Sequence, residues 1–192
     1  MATMIDMAER ILDTAQLLVQ TRGYNAFSYG DVAAAVGIRK ASIHYYFPSK
    51  GDLGLRLMER FRQTCRAAMA EIDRSEIDPR ARLERYAALF QATLKNGRMC
   101  LCGMLASEFA SLPEVVRAEV LAAFNDQEAW LIEVLRAGRQ AGLFRADVPV
   151  EEQARTLIAG LEGATLLSRL HGSPGHLQAT ARGLLVALDA DR

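Results

Sequence analysis

Between Val32 and Gly51 the chain carries no Asp or Glu, yet Arg39, Lys40, His44 and Lys50 all fall there. The sequence holds only three lysines, Lys40, Lys50 and Lys95, and two of them sit in this window. Ser42, Tyr45 and Tyr46 add hydroxyl groups to the same stretch. Cations without competing carboxylates, interleaved with hydroxyls, suit phosphate oxygens and base edges: the cations displace counterions, and the hydroxyls donate to phosphates or bases. The local sign is what counts, because the whole chain is neutral, with 23 Lys+Arg against 23 Asp+Glu.

Two short helices at a fixed angle would present that stretch. Ser28 is suited to cap the first, and Asp31 supplies the negative charge that a helix N-terminus favours. Val32, Ala33 and Val36 give it one apolar face, and Gly37 has the backbone freedom to leave it. Ile38 turns back toward the core, Arg39 to Tyr46 form the second helix, and Phe47 holds it to its neighbours. Pro48 ends it, because the residue before a proline is driven out of the helical region. A helix-turn-helix of this kind lays its second helix in the DNA major groove. The candidate DNA contacts are therefore Ser28, Arg39, Lys40, Ser42, His44, Tyr45, Tyr46 and Lys50. A plain solvated surface helix is the competing reading. The coincidence of an acid-free window, two-helix spacing and a terminal proline counts against it.

At these residues the sequence resembles the tetracycline-repressor-like (TetR/AcrR) family of transcriptional regulators. The family pattern runs Gly-Val-Ser-Lys-Gly-Thr-Leu-Tyr-Tyr-His-Phe-Pro-Ser-Lys-Glu-Glu-Leu. Here it stands as Gly37-Ile38-Arg39-Lys40-Ala41-Ser42-Ile43-His44-Tyr45-Tyr46-Phe47-Pro48-Ser49-Lys50-Gly51-Asp52-Leu53, preceded by an Arg22-Gly23-Tyr24 turn. The match covers the first quarter of the chain; beyond it the likeness is one of general shape. The resemblance implies that Lys40, Ser42, Tyr45, Tyr46 and Lys50 touch DNA. Arg39 replaces the usual capping Ser, Ala41 a Gly and His44 a Tyr, so the operator sequence does not carry over. It also implies a homodimer and an effector cavity among the middle helices, for which Phe90, Met104, Phe109, Phe124, Trp130 and Glu162 are candidate walls. Such a lining suits a small, largely apolar effector, with Glu162 as its single polar anchor or as the partner of an Arg across the dimer. Some members of the family respond to electrophiles through a cysteine, which puts Cys100 and Cys102 forward as possible thiol sensors.

At 192 residues and 51% hydrophobic, the chain can bury a substantial core, and its richness in Ala, Leu, Arg and Glu predicts an all-α fold. No secretory leader is evident, since Asp6, Glu9 and Arg10 interrupt the N-terminus, and the apolar run Leu157 to Leu167 contains Glu162 and is too short to span a bilayer. A cytoplasmic protein with no membrane partner is expected. The apolar rhythm predicts a first helix from Ala8 to the Gly23 stop, with Asp6 and Glu9 favouring its start. A second box, Ser49 and Asp52, opens a helix running to about Glu71. That helix joins an N-terminal three-helix DNA-binding domain (1–48) to a larger effector-binding and dimerisation domain (49–192) without a flexible linker. Displacing its far end would move the recognition helix.

Beyond it, Asp78-Pro79 starts a helix that stops near Asn96-Gly97, and a short helix runs through Met104, Leu105 and Phe109. Pro113 opens a long one closed by Gly142, and Ala146 to Pro149 form a break. Thr156 to Ser168 is apolar nearly all round, and a final helix carries the stripe Leu177, Ala181, Leu184, Leu185 and Leu188. A helix apolar on every side is buried on every side, and this chain has little left to cover both; the pattern predicts homodimerisation through the last two helices. A purely intrachain core is the alternative.

The remaining motifs support no other chemistry. Cys100-Leu101-Cys102 lacks zinc spacing and a second ligand pair, with only His171 and His176 on a Gly/Pro loop to complete it, so no metal is expected. Cys65 reads as packing, as unpaired buried cysteines usually are. There is no phosphate loop, HExxH or nucleophile elbow, hence no enzyme and no cofactor is indicated. The expectation is an all-helical, homodimeric repressor that binds a palindromic double-stranded operator and is released by an effector. Two rivals remain: the same scaffold sensing oxidants or electrophiles through Cys100 or Cys102, and a helical small-molecule-binding protein whose helix-turn-helix is vestigial.

Overall fold

The computed structural model describes residues 2–94 and 97–190, with side chains described from residue 7 onward. Among these residues are nine α-helices: α1 (Ala2–Arg22), α2 (Tyr29–Val36), α3 (Lys40–Tyr46), α4 (Lys50–Ser75), α5 (Pro79–Leu94), α6 (Leu101–Ser107), α7 (Glu114–Gln140), α8 (Val150–Leu170) and α9 (Gly175–Val186). The all-α expectation holds. The predicted side-chain role of Asp6 and the predicted helix stop at Asn96 lie outside the described residues. Several bounds differ from expectation, each for a local reason. Phe109 is not part of α6 but of a separate 3-10 turn, Phe109–Ser111, stapled by Ser111 N–H donating to Glu108 O at 2.9 Å. α4 runs on past Glu71 to Ser75, since no breaker intervenes. α8 starts at Val150, directly after Pro149, well before Thr156.

The chain falls into two compact units. The first comprises Met1–Thr64 and Leu101–Ala123. Here α1 packs against α2 and α6, and α2 against α3. Arg60 of α4 binds α1 in a fork, donating to Glu9 and Asp13 at 2.8 Å each and to Gln16 at 2.9 Å. Arg10 of α1 donates to the Val36 carbonyl at the end of α2 at 3.1 Å.

The second unit comprises Cys65–Cys100 and Phe124–Arg192. Its core joins α5, the C-terminal part of α7, α8 and α9 through Leu83, Tyr86, Phe90, Leu131, Leu135, Leu161 and Leu177. α8 and α9 approach closely because Gly160 has no side chain: a Cβ there would lie 2.7 Å from Leu184 Cδ1. After α7 the chain turns at Gly142 (φ 70°) and runs back so that the Phe144 ring covers Gly138. Two backbone bonds then clasp it to the C-terminal end, Arg145 N–H to Leu188 O at 2.8 Å and Ala190 N–H to Leu143 O at 3.0 Å. Leu188 lies beyond α9 yet is buried, so its share of the predicted apolar stripe is supplied by this turn.

The Gly138 site sets two effects against each other. Alanine gains about 1 kcal/mol over glycine in a helix. Its Cβ would meet Phe144 Cδ2 at 2.0 Å, which a rigid ring can accept only by moving, at about 1–3 kcal/mol. Overpacking should win, and Gly138→Ala should lower the thermal midpoint by a few degrees, read by circular dichroism; an unchanged or raised midpoint would show that Phe144 relocates freely.

Candidate nucleic-acid interface

The first turn of α2 is fixed by a reciprocal box. Ser28 N–H donates to Asp31 Oδ2 at 2.7 Å, and Asp31 N–H donates back to Ser28 Oγ at 3.4 Å. The Ser28 hydroxyl and amide hold the Asp31 carboxyl below its usual range, with Arg22 adding to the effect. Ser28 is thereby committed to capping. At the other end Gly37 adopts the left-handed conformation (φ 80°), and the Gly37 and Ile38 amides both return to Ala33 O. That turn sets the angle at which α3 leaves. Beneath α3, Ile43 is fully buried and Phe47 nearly so, which fixes which face points outward.

The outward face carries the predicted chemistry. Arg39, Lys40, Ala41, His44 and Tyr45 are exposed, while Ser42 and Tyr46 are half-buried. Arg39 occupies the N-cap position without any capping bond from its side chain. Tyr45 is 70% exposed, its ring edge-on to Tyr46 at 5.3 Å. His44 sits against Tyr29 at 4.8 Å between ring centroids, and its Nδ1 lies 3.1 Å from Pro48 O. A proton on Nδ1 would satisfy that carbonyl and leave Nε2 as an outward acceptor.

Lys50 has partners inside the first unit. Its Nζ donates to Phe27 O at 2.5 Å and lies over the rings of Tyr24 and Phe27, 4.7 and 4.3 Å from their centroids. Burial lowers its pKa, while Glu108 and Asp31 oppose that shift. The ammonium is thus directed to the seam between the α1–α2 turn and α4. Sequence reasoning placed it outward because a motif position carries no side-chain direction.

Three further residues position the interface and were not found from the sequence. Tyr29 OH donates to Phe47 O at 2.8 Å or Ser49 O at 2.5 Å, pinning the strand of chain between α3 and α4. Tyr24 OH donates to Lys50 O at 2.8 Å, and burial pushes that hydroxyl up to about 12, so it remains a donor. Glu108 accepts the Tyr24 amide at 2.6 Å and the Asn25 amide at 3.3 Å, while Asn25 Nδ2 donates to Ser111 Oγ at 2.7 Å. Gly23 (φ 101°) makes this possible, since a Cβ there would lie 2.9 Å from Glu108 Oε1. The glycine turn was visible in the sequence. Its acceptor, 84 residues away, was not.

The six candidate pocket walls divide. Met104 and Phe109 belong to the first unit, where the Arg117 guanidinium lies 5.9 Å above the Phe109 ring. Phe90, Phe124, Trp130 and Glu162 belong to the second. Phe90 is in its core, and Phe124 and Trp130 pack against that core, with Trp130 Nε1 donating to Asp73 at 3.0 Å. A void of about 10 Å³ lined by Leu83, Tyr86, Leu157, Leu161 and Leu184 has room for roughly one water and touches none of the six. Glu162 is different: its side chain bonds to Cys100, its Oε1 is buried without a hydrogen-bond partner, and burial pushes its carboxyl up to about 10.

Burial also pushes the Cys65 thiol up to about 12, with Cys100, Glu162 and Asp126 adding to it. Cys100 and Cys102 are buried, and the Cys100 thiol bonds to the Glu162 carboxyl. Among the described residues no group of three or more His, Cys, Asp or Glu could hold a metal, and no helix is long and apolar enough to cross a membrane.

Residues 11–57 match the model of the tetR family of bacterial regulatory proteins, and residues 79–184 that of the tetracyclin repressor-like C-terminal domain. The HTH-type transcriptional repressor DhaR of Mycobacterium sp. (strain GP1) is 31% identical over 150 residues, covering 78% of this chain and 75% of that protein. A TetR-family transcriptional regulator from Agrobacterium tumefaciens superposes with a TM-score of 0.92 at 36% identity, over 97% of this chain and 99% of that one. A TetR transcriptional regulator from Legionella pneumophila does so at 0.86 and 32%, over 94% and 96%.

The two lysines of the interface should separate experimentally. Lys40→Ala should weaken DNA binding on all sequences and reduce the salt slope of log K by about 1. Lys50→Ala should leave that slope unchanged and lower the thermal midpoint instead. A salt slope reduced equally by both substitutions, measured by fluorescence anisotropy, would return Lys50 to the phosphate contacts.

Proposed function

The chain belongs to the TetR family of bacterial regulatory proteins and is a DNA-binding transcriptional repressor; we propose that it binds a palindromic operator as a homodimer and is released by a small, largely apolar effector. The observation that carries this reading is α3 itself, with Ile43 and Phe47 buried beneath and Arg39, Lys40, His44 and Tyr45 turned outward. Arg39, Lys40, Ser42, His44, Tyr45 and Tyr46 are the proposed DNA contacts. Ser28 caps α2 beside them, and Lys50 supports them from within. Residues 1–48 supply the DNA-binding part and 49–192 the effector-binding and dimerising part.

Dimerisation through α8 and α9 is supported by what those helices leave uncovered. One side of α8 is buried through Leu157, Ile158, Leu161 and Ala164. The other exposes Ala159, Gly163, Leu166, Leu167 and Leu170, with Leu170 75% exposed, and Val186 of α9 is 62% exposed. A second copy covers that stripe isologously and spaces two α3 helices to meet successive major grooves, about 34–36 Å apart. Effector binding then acts as differential affinity of two states, transmitted by α4, which runs unbroken from Lys50 to Ser75. Phe90, Phe124, Trp130 and Glu162 are the proposed effector contacts. The buried thiols favour a non-covalent effector, so Cys100→Ser and Cys102→Ser should both retain release from DNA.

Fluorescence anisotropy on duplex DNA from upstream of the protein's own gene, with a scrambled duplex as competitor, tests the reading. Tight, salt-steep binding of two protomers per site with weak binding to the scrambled duplex is expected. Equal weak binding to both, and to fragments recovered by genome-wide selection, would show a helix-turn-helix that no longer reads sequence. Leu166→Glu combined with Leu170→Glu should yield a folded monomer by sedimentation, with operator affinity reduced by at least about a hundredfold, because each half-site then binds alone. A dimer surviving both changes would place the interface elsewhere.

A further inference from the structure

Glu162 is half-buried as a residue, yet one oxygen of its carboxyl is fully shielded, and it takes part in none of the ion pairs described above. It lies on α8 in the second unit, its side chain bonded to Cys100, with the Cys65 thiol close enough to feel its charge. Its Oε1 is buried and has no hydrogen-bond partner. A buried polar atom left unpaired costs free energy and calls for an explanation in terms of an unseen partner. Asp126, the other acid that acts on the Cys65 thiol, is paired with Arg66 in a two-point contact of 2.7 and 2.9 Å. Burial and Cys100 both act to keep the Glu162 carboxyl protonated, and no cation opposes them in that shift.

We propose that Glu162 Oε1 is the hydrogen-bonding anchor of the effector, and that the effector is an uncharged molecule carrying a single carbonyl or hydroxyl group on an apolar body. The inference rests on the reading of the second unit as effector-binding and names the ligand class. Three facts about the surroundings select that class. An anion would enter beside a carboxyl and thiols with no positive group to receive it. A cation would have to expel the carboxyl's proton first. Burial pushes that carboxyl up to about 10, so at pH 7 the displacement works against binding. An uncharged ligand meets the protonated carboxyl as it stands, accepting from its O–H or donating to its carbonyl oxygen, and lays its apolar part against aliphatic and aromatic side chains of the core.

The test uses the full-length protein and four probes of equal chain length: hexanone, hexanol, hexanoate and hexylammonium. Binding is read from Trp130 emission and from the thermal midpoint, and release from operator anisotropy. Hexanone and hexanol should raise the midpoint and release DNA, with affinity independent of pH between about 6 and 8 because no proton is exchanged. Glu162→Gln, which keeps an uncharged donor and acceptor, should retain that binding. Glu162→Met should lose it by about tenfold or more while raising the midpoint of the unliganded protein, since it removes the unpaired atom.

A lower midpoint for Glu162→Met would make Glu162 a structural residue and overturn the inference. So would undiminished probe binding to that variant, or no response to hexanone and hexanol. Preference for hexylammonium, tightening tenfold per pH unit, or for hexanoate, would overturn the uncharged class while leaving effector control intact. Operator binding unaltered by all four probes and by a mixed extract of small metabolites would instead remove effector control itself.

Discussion

The DNA-binding surface depends on the burial of Ile43 and Phe47. α3 has only seven residues, far below the length at which a helix persists in water by itself, and its N-cap, Arg39, supplies no side-chain bond to the first amides. Local preference therefore contributes little. What keeps α3 helical is that Ile43 and Phe47 fill space against α2 and the segment leading into α4, with the Tyr29 hydroxyl tied to the chain just beyond. Because the apolar anchors lie on one face, the cations and hydroxyls of the other face have no choice of direction. Presentation of the site and stability of the unit therefore rest on the same buried contacts.

The same logic runs in the second unit with a different outcome. α8 is apolar on two sides, and only one of them finds cover in the chain. Gly160 lets α9 approach on the covered side, where even a methyl group would strike Leu184. On the other side, small and aliphatic residues remain at helical spacing in water. An apolar patch of this kind is a liability for an isolated chain, and a two-fold partner removes it at no cost in new sequence, since one stripe serves both copies.

How much of this was legible in the sequence follows the range of the interaction. The boxes at Ser28/Asp31 and Ser49/Asp52 span three residues, and both form as expected, the second with Ser49 N–H donating to Asp52 at 2.9 Å and Asp52 N–H returning to Ser49 Oγ at 3.1 Å. Gly37 and Gly142 take the left-handed conformation that ends their helices. Amphipathic rhythm located the first helix, whose Ile11, Leu12, Ala15, Leu18 and Val19 are buried. What the pattern could not supply was side-chain direction and distant partners. Lys50 matches a motif position yet turns inward, because two aromatic faces and a carbonyl await it there. Nothing in the sequence around Glu108 marks it, because the amides it accepts belong to a turn at the far end of the first helix. Phe109 continued an apolar rhythm that the backbone had already abandoned for a 3-10 turn.

The neutral total charge, finally, is compatible with DNA binding because of where the acids are held. Arg60 is paired with Glu9 and Asp13, Arg62 with Glu119, Arg66 with Asp126 and Arg155 with Glu128. Such pairs, still partly open to water, add little stability, on the order of 0–1 kcal/mol each. Their larger effect is on the field: a carboxylate within about 3 Å of a guanidinium is seen from a distance as a dipole, not as a charge. Arg39 and Lys40 have no ion-pair partner among the described residues, and α3 itself contributes no acid to offset them. At physiological salt, charges more than about 8 Å away are largely screened. A phosphate approaching α3 therefore meets the cations of that helix and little of the acid elsewhere in the chain.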